Sequence, residues 1–310
     1  MSPETTPGWR HETNVEGRFV RAPSLFRDRV TTDGSSDYRA ERGRYHLYVS
    51  YACPWAHRTI IFRKLKKLED IIDMTVVDPI RDDRGWRFVD DEPDPINGFR
   101  FLREGYLATD PDYASRVTVP VLWDKHTSRI VNNESSEIIR MLNAEFDEWG
   151  DAGTDFCPRE LVEEIDELNA VVYTNVNNGV YKCGFASSQE AYAASFGSLF
   201  ETLEMLDERL ATNRYLMGDA LTEADWRLFT TLVRFDAVYV GHFKCNKQRI
   251  VDYPNLSCYL RELYQMPHIA GTVNMDHIKR HYYETHLSLN PTGIVPAGPD
   301  LDFEDPHGRG

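Results

Sequence analysis

Tyr45-His-Leu-Tyr-Val-Ser-Tyr-Ala-Cys-Pro-Trp-Ala56 decides how the chain begins to fold. Tyr45 to Val49 is a short apolar run suited to a buried strand, and the amphipathic run from Ala56 to Leu68 follows almost at once. Pro54 marks the junction, because proline suits the first turn of a helix, where its missing N–H has no partner to lose. A second apolar strand, Ile71 to Val77, closes a βαβ unit. Val117 to Trp123 reads as a further strand. Central strands exclude proline, so Pro120 is expected at a strand start, where a cis bond is one available arrangement. Arg129 to Val131 is a short partner across the turn Asp124 to Ser128, and Asn133-Glu-Ser-Ser136 opens a helix striped by Ile138, Ile139, Met141, Leu142 and Phe146.

Around this unit the chain divides by character. Residues 1–44 are rich in Arg, Asp, Gly and Ser without a sustained period, and read as an extension that wraps the surface or is partly mobile. The interval 79–115 is a long inserted loop containing Arg81-Asp-Asp-Arg-Gly-Trp86 and the acidic run Asp90 to Asp94; a loop of that length inside a domain is usually functional. After the acidic linker Asp147 to Asp155 the pattern is helical throughout. Leu161 to Val176 is periodic, Ser187-x-x-Glu190 predicts a capping box before a long helix, and Thr222-x-x-Asp225 predicts another that opens a helix over Ala224 to Val238. Helices follow at Leu256 to Gln265 and near His268 to Tyr283. The fold class is α/β plus all-α, with an α/β domain over 45–147, an all-helical domain over 156–289 and an irregular tail over 290–310.

The 310 residues carry 50 acidic and 35 basic side chains, a net charge of −15, which argues against a nucleic-acid groove. No window is apolar enough to span a bilayer and no apolar run suits a secretory signal, so a cytoplasmic location without membrane attachment is expected. Cys53, Cys157, Cys183, Cys245 and Cys258 are an odd number, widely spread, supporting neither a disulfide framework nor a zinc site. His277-x-x-x-His281 has metal-ligand spacing but no HExxH pattern, and neither a Walker A sequence nor GxGxxG is present; no metal or resident cofactor is expected.

Cys53 carries the chemistry. A thiol between a strand and a helix N-terminus meets unpaired backbone N–H groups and the positive end of the macrodipole, which favour a nucleophilic thiolate. The alternative is a buried structural cysteine. Ala56 occupies the position where a dithiol oxidoreductase keeps its resolving cysteine. A lone thiol forms a mixed disulfide that only an external thiol can clear, which points to a low-molecular-weight thiol as cosubstrate. Val119-Pro120 would pair with its backbone, and the helix start at Glu134-Ser135 would receive a charged terminus.

Ser50-Tyr-Ala-Cys-Pro-Trp-Ala-His-Arg58, Asn132-Asn-Glu-Ser-Ser-Glu-Ile-Ile139, Asn177-Asn-Gly-Val-Tyr-Lys182, Leu221-Thr-Glu-Ala-Asp-Trp226 and Asn290-Pro-Thr-Gly-Ile294 together resemble the Xi class of glutathione transferases, the glutathionyl-hydroquinone reductases. The resemblance implies a thioredoxin-like domain followed by a helical bundle, a homodimer, and reduction of glutathionyl-hydroquinones with glutathione as cosubstrate; the excess of 27 Arg over 8 Lys and of acidic over basic side chains, as a high-salt cytoplasm would favour, adds a related γ-glutamyl thiol as the alternative cosubstrate. Carried over by position, it implies Cys53 as nucleophile, Trp86, Arg116, Val119, Glu134 and Ser135 as glutathione-binding residues, and Tyr181, Tyr239 and Tyr282 as the lining of an aromatic pocket. Several of these have a plainer alternative. Arg116 could pair with Asp110 or Asp112, Trp86 could anchor its loop, Glu134 could serve only the helix dipole, and the tyrosines could be core. Two further readings compete for the whole chain: a non-catalytic member of the transferase fold, which has no use for a thiol at that helix start, and a conjugating transferase, which would rather carry Ser or Tyr there.

Overall fold

The computed structural model describes residues 13–89 and 92–309; the first part of the extension, together with Asp90 and Asp91 of the acidic run, lies outside them. The chain forms two compact units that interleave in sequence. Of the described residues, the first contains 23–89, 92–154 and 274–286, and the second contains 13–22, 155–273 and 287–309.

In the first unit, strands β1 (Val30–Thr31) and β2 (Tyr38–Arg39) form a small parallel pair. The main sheet comprises β3 (Tyr45–Val49), β4 (Asp73–Val76), β5 (Val121–Asp124) and β6 (Arg129–Asn132), in the order β4-β3-β5-β6. β3 pairs parallel with β4 across the crossover helix α1 (Pro54–Leu65) and antiparallel with β5, with Leu47 opposite Leu122. β3 is buried along its whole length, as its unbroken apolar run requires. α1 packs on β3 and on α3 (Ser135–Ala144). Arg44 and Asp124 fix one end of the β3–β5 pair by two parallel bonds of 2.8 and 2.9 Å.

The interval 79–115 is not one loop. Leu102–Thr109 forms helix α2, whose start is held by the Glu104 carboxylate accepting from the N–H groups of Arg100 (2.8 Å) and Phe101 (2.9 Å). The Gly and Asp content of the flanking sequence masked this short helix, which packs on β6. The described part of the extension is ordered. Asp28 N donates to Val131 O (3.0 Å), Asn133 N to Phe26 O (3.1 Å), and Val30 is fully buried, so residues 26–28 run antiparallel along the β6 edge of the sheet. Helix α9 (Met275–Thr285), which chain order places after the helical half, belongs to this first unit.

The second unit comprises α4 (Val162–Val172), α5 (Gly179–Gly184), α6 (Gln189–Leu210), α7 (Glu223–Arg234) and α8 (Pro254–Gln265). The cap of α6 is Ser188, accepting from Ala191 N at 3.2 Å, one residue beyond the predicted Ser187. Thr222 and Asp225 do form the predicted box: Asp225 accepts from Thr222 N (2.8 Å) and also from Leu216 N (2.9 Å) and Tyr259 OH (2.8 Å). Two wider π-helical turns, Tyr173–Asn177 and Phe235–Tyr239, interrupt the helical runs predicted as continuous; such turns recur at functional sites. The irregular tail is bound through Gln265 to Phe303 O (2.7 Å) and Arg309 to Glu262 (2.7 Å). Among the described residues no helix is long and apolar enough to cross a membrane.

Candidate active site

Cys53 directly precedes α1 in extended conformation (φ −79°, ψ 121°), and Pro54 is the first helical residue. The first turn carries no acidic side chain, so the positive end of the dipole acts on the sulfur without a competing carboxylate there. The Cys53 thiol donates to Val119 O at 3.5 Å. Val119–Pro120 is a cis bond and β5 begins at Val121, so the proline stands at the strand start that the sequence requires. The fold thereby joins the nucleophile candidate to the backbone that was expected to pair with a peptide-like thiol.

Glu134 caps α3. Its carboxylate accepts from Ser136 N (3.2 Å), Ser136 Oγ (2.9 Å) and Ser24 Oγ (3.1 Å), the last contributed by the extension. Glu134 N donates in turn to Asn132 Oδ1 at 2.7 Å. Ser135 is buried and accepts from Arg58 Nη1 at 3.4 Å, while the Arg58 guanidinium lies 4.6 Å from the Trp55 ring centroid. Arg58 stands one turn into α1, so this bond ties the starts of two helices together.

Trp86 is only 4% exposed, and its indole Nε1 is buried with no hydrogen-bond acceptor among the described residues. A buried donor left so costs about 1–3 kcal/mol unless an arriving ligand supplies an acceptor. The ring is fixed on two sides: His281 of α9 stacks on it at 5.1 Å and 18°, and the Arg81 guanidinium lies 5.4 Å from its centroid. His281 Nδ1 also bonds Pro79 O at 2.6 Å, and Thr285 Oγ1 accepts from Arg81 N at 3.4 Å. One face of α9 thus holds the segment 79–86 at both ends.

Arg81 is nearly buried. Burial pulls its guanidinium well below its usual value, the charge of Arg116 pulls the same way, and Cys53 pulls it up. Arginine keeps its proton in proteins. The physical content is therefore a cation in a dry place whose cost an anion, such as a thiolate or a ligand carboxylate, would relieve. Arg116 is half-exposed and its carbonyl accepts from Tyr113 OH at 2.6 Å. Its proposed rival partners Asp110 and Asp112 are exposed, and the Asp110 carboxylate accepts from Asp112 N.

The three tyrosines are placed in two groups. Tyr282 belongs to the first unit, 1% exposed, with its ring edge-on to His281 and His286 at 5.4 Å each. Tyr181 on α5 and Tyr239 in the second π-helical turn belong to the helical unit, with centroids 6.3 Å apart. Phe243 completes their cluster, 5.4 Å from each and stacked at 12° on Tyr239.

Sequence reasoning passed over Arg58, Arg81 and His281. A run of charges around Arg81 signals a solvated loop, and nothing local shows that it is buried. His281 had been weighed as half of a metal pair. In the structure it packs on Trp86, whereas the ring of His277 meets Tyr51 at 5.9 Å. Among the described residues no group of three or more His, Cys, Asp or Glu is placed to hold a metal ion.

A small mixed sheet with a thiol at the start of its crossover helix, facing a cis-proline turn, and a separate helical unit together define a glutathione transferase fold of the cysteine type. Family models agree: residues 52–145 match the glutathione S-transferase N-terminal domain and 189–262 its C-terminal domain. The glutathionyl-hydroquinone reductase YqjG of Escherichia coli is 53% identical, over 97% of this chain and 95% of its own length, and its glutathione-bound structure superposes with a TM-score of 0.89. The reductase PcpF of Sphingobium chlorophenolicum is 52% identical over 94% of this chain and 93% of its own. A Xi-class transferase structure from Natrialba magadii, 52% identical, covers 92% of this chain and 88% of its own with a TM-score of 0.90. The chain belongs to the Xi-class glutathione transferases, the family of the glutathionyl-hydroquinone reductases.

Proposed function

We propose that this protein reduces S-glutathionyl-hydroquinones to free hydroquinones, with Cys53 as nucleophile and glutathione as cosubstrate. The observation that carries the reading is the lone thiol of Cys53 at the start of α1, against the Val119 carbonyl, in a chain more than half identical to two reductases of that name. The Cys53 thiolate attacks the sulfur of the thioether. The sulfur–carbon bond breaks, its electron pair passes to the ring carbon, and that carbon takes a proton to give the hydroquinone. A Cys53–glutathione disulfide remains, and the thiolate of a second glutathione attacks it, releasing oxidised glutathione and regenerating Cys53. The thioether sulfur of the substrate and the thiol of the second glutathione thus supply one electron each, and Cys53 is unchanged over the cycle.

The neighbouring groups suit this sequence. Val119 offers its backbone to the peptide, Glu134 and Ser135 at the α3 start receive its γ-glutamyl end, and Trp86 and Arg116 hold the remainder. Tyr181, Tyr239 and Tyr282 supply aromatic surface together with hydroxyls able to bond the ring oxygens and help place the proton. A related γ-glutamyl thiol would satisfy the same contacts at Glu134. The homodimer and the cytoplasmic location are further parts of this proposal, to be read from the mass in solution and from cell fractionation. No disulfide joins the five cysteines, which fits a reducing compartment.

The test is release of hydroquinone from a glutathionyl-hydroquinone plus glutathione. Cys53→Ala should lose more than about 100-fold in rate, and mass spectrometry should find one glutathione on Cys53 when thiol is limiting. No release by the wild type, or a full rate in the variant, would sink the proposal. Formation of new thioethers from electrophiles by an enzyme that cannot cleave them would favour the conjugating reading instead.

A further inference from the structure

The extension carries a cation into the aromatic cluster of the helical unit. Residues 13–22 are seated there by specific bonds: Ser187 N donates to Gly17 O at 3.0 Å and Ser188 Oγ to Glu16 O at 2.9 Å. Gly17 has φ +78°, and a Cβ there would lie 2.9 Å from both Ser187 Oγ and Ser188 N, so the close approach requires glycine. The approach delivers two side chains. Phe19, itself buried, stacks on Tyr181 at 6.3 Å and 26° and meets Phe185 at 5.7 Å. Arg21 places its guanidinium 4.8 Å from the Tyr181 centroid and 5.4 Å from that of Phe19. Its Nε donates to Asn178 Oδ1 at 2.7 Å, and Asn178 immediately precedes α5, the helix that bears Tyr181. The cation and the tyrosine are therefore aligned by the same helix start.

We propose that Arg21 is a specificity-determining residue of the aromatic subsite, favouring S-conjugates whose ring oxygen is ionised. This rests on the assignment of Tyr181 to that subsite. A guanidinium stays charged at all working pH values and bonds oxyanions about twice as strongly as neutral oxygens. Its direction is fixed by Asn178, so it need not be ordered when substrate arrives. A hydroquinone whose phenol has lost its proton gains from such a neighbour, whereas a neutral one gains little. The extension, which reaches the thiol site through Ser24, would then tune through Arg21 which quinone conjugates are processed.

The experiment compares two glutathionyl-hydroquinones at one pH near 7.5: the unsubstituted ring, whose hydroxyls stay neutral, and a trifluorinated ring, whose acidified hydroxyl is largely ionised at little change in size. The readout is the ratio of their kcat/KM values. Arg21→Met should lower kcat/KM for the fluorinated conjugate about tenfold or more and leave the other within about threefold, while Arg21→Lys, which keeps the charge, should retain most of the ratio. Equal losses on both substrates in a folded Arg21→Met would reduce the residue to a structural strap and overturn the proposal, as would an unchanged ratio. Tyr181→Phe separates the two levels of the argument. If it impairs turnover while Arg21→Met leaves the ratio intact, the arginine assignment fails alone; if both variants match wild type while Cys53→Ala is dead, the placement of the subsite at Tyr181 fails and the proposal with it.

Discussion

Gly184 is the last residue of α5, and an alanine Cβ built on it would lie 2.2 Å from Cδ1, 2.4 Å from Cγ and 2.8 Å from Cε1 of Phe243. Carbon atoms in favourable contact sit about 3.5–4.0 Å apart, so Gly184→Ala requires the ring to retreat by more than about 1 Å. The ring has no cheap retreat: Phe243 is fully buried, stacked on Tyr239, and 5.0 Å edge-on from Phe185. Overpacking of this kind costs about 1–3 kcal/mol, and contact with three ring atoms places it in the upper half. The helix propensity gained over glycine is below about 1 kcal/mol and smaller still at a helix end, leaving a net loss of about 2 kcal/mol. For a unit of this size that is a fall in Tm of about 4–8 °C. Gly197, mid-way along α6, is the matched control, because nothing lies within 4 Å of its built Cβ. Gly197→Ala should stabilise by about 0.5–1 kcal/mol. Thermal and urea unfolding would be followed by near-ultraviolet circular dichroism, which reports the aromatic cluster, with hydroquinone release measured alongside. Phe243→Leu should recover part of the loss in the double variant, since it removes the atoms that collide. A Gly184→Ala protein as stable as wild type, or stabilised like Gly197→Ala, would refute the packing reasoning.

Two further outcomes follow from the first unit. His281→Ala removes the stack on Trp86 and the bond to Pro79, and should raise KM for glutathione about tenfold with a smaller change in kcat; steady-state kinetics with an unchanged KM in the folded variant would remove His281 from the site. Burial tends to raise the pKa of Asp124, but its bonds from Arg44 and Thr127 win and hold it below the ordinary 3.8. A carboxylate depressed on folding stabilises above its unfolded value and loses that contribution as pH falls through its folded one. Asp124→Asn should therefore cost about 3 kcal/mol near neutrality, a gap in urea midpoints that stays level from pH 7 to about 5 and closes only below about 4. A gap that instead widened on acidification would contradict the assigned charge state.

The fold was legible wherever the signal was local. Pro54 after a strand, Pro120 before one, and the reciprocal acceptors of Thr222 and Asp225 are short-range devices, and each appears where the sequence puts it. The misreadings share a cause. α2 is eight residues long and anchored by Glu104 rather than by a Ser, Thr, Asp or Asn cap, so the Gly- and Asp-rich sequence around it spoke for a loop. The π-helical turns add a residue to the period without a marker of their own, and the periodic windows ran through them as single helices. The order of the extension depends on pairing with β6, a strand more than a hundred residues away, which no window can register.

The site divides along the same line, and charge shows why. A net charge of −15 describes the surface, and it says nothing of cations that the fold withdraws from water. Arg58 and Arg81 are nearly buried beside the starts of α1 and α3 and the Trp86 ring, where solvent screens them little. Placing a guanidinium there costs stability in the absence of an anion, and the cost is smallest when the occupant is a thiolate or a carboxylate. An acidic protein can in this way hold a positive site, with the global charge limiting only non-specific anion binding elsewhere. In the proposed reaction, motif residues such as Cys53 and Glu134 mark where the chemistry takes place. The residues that make the place suitable for an anion come from segments whose composition suggests only a wet surface, and it is burial, decided by the whole fold, that changes their meaning.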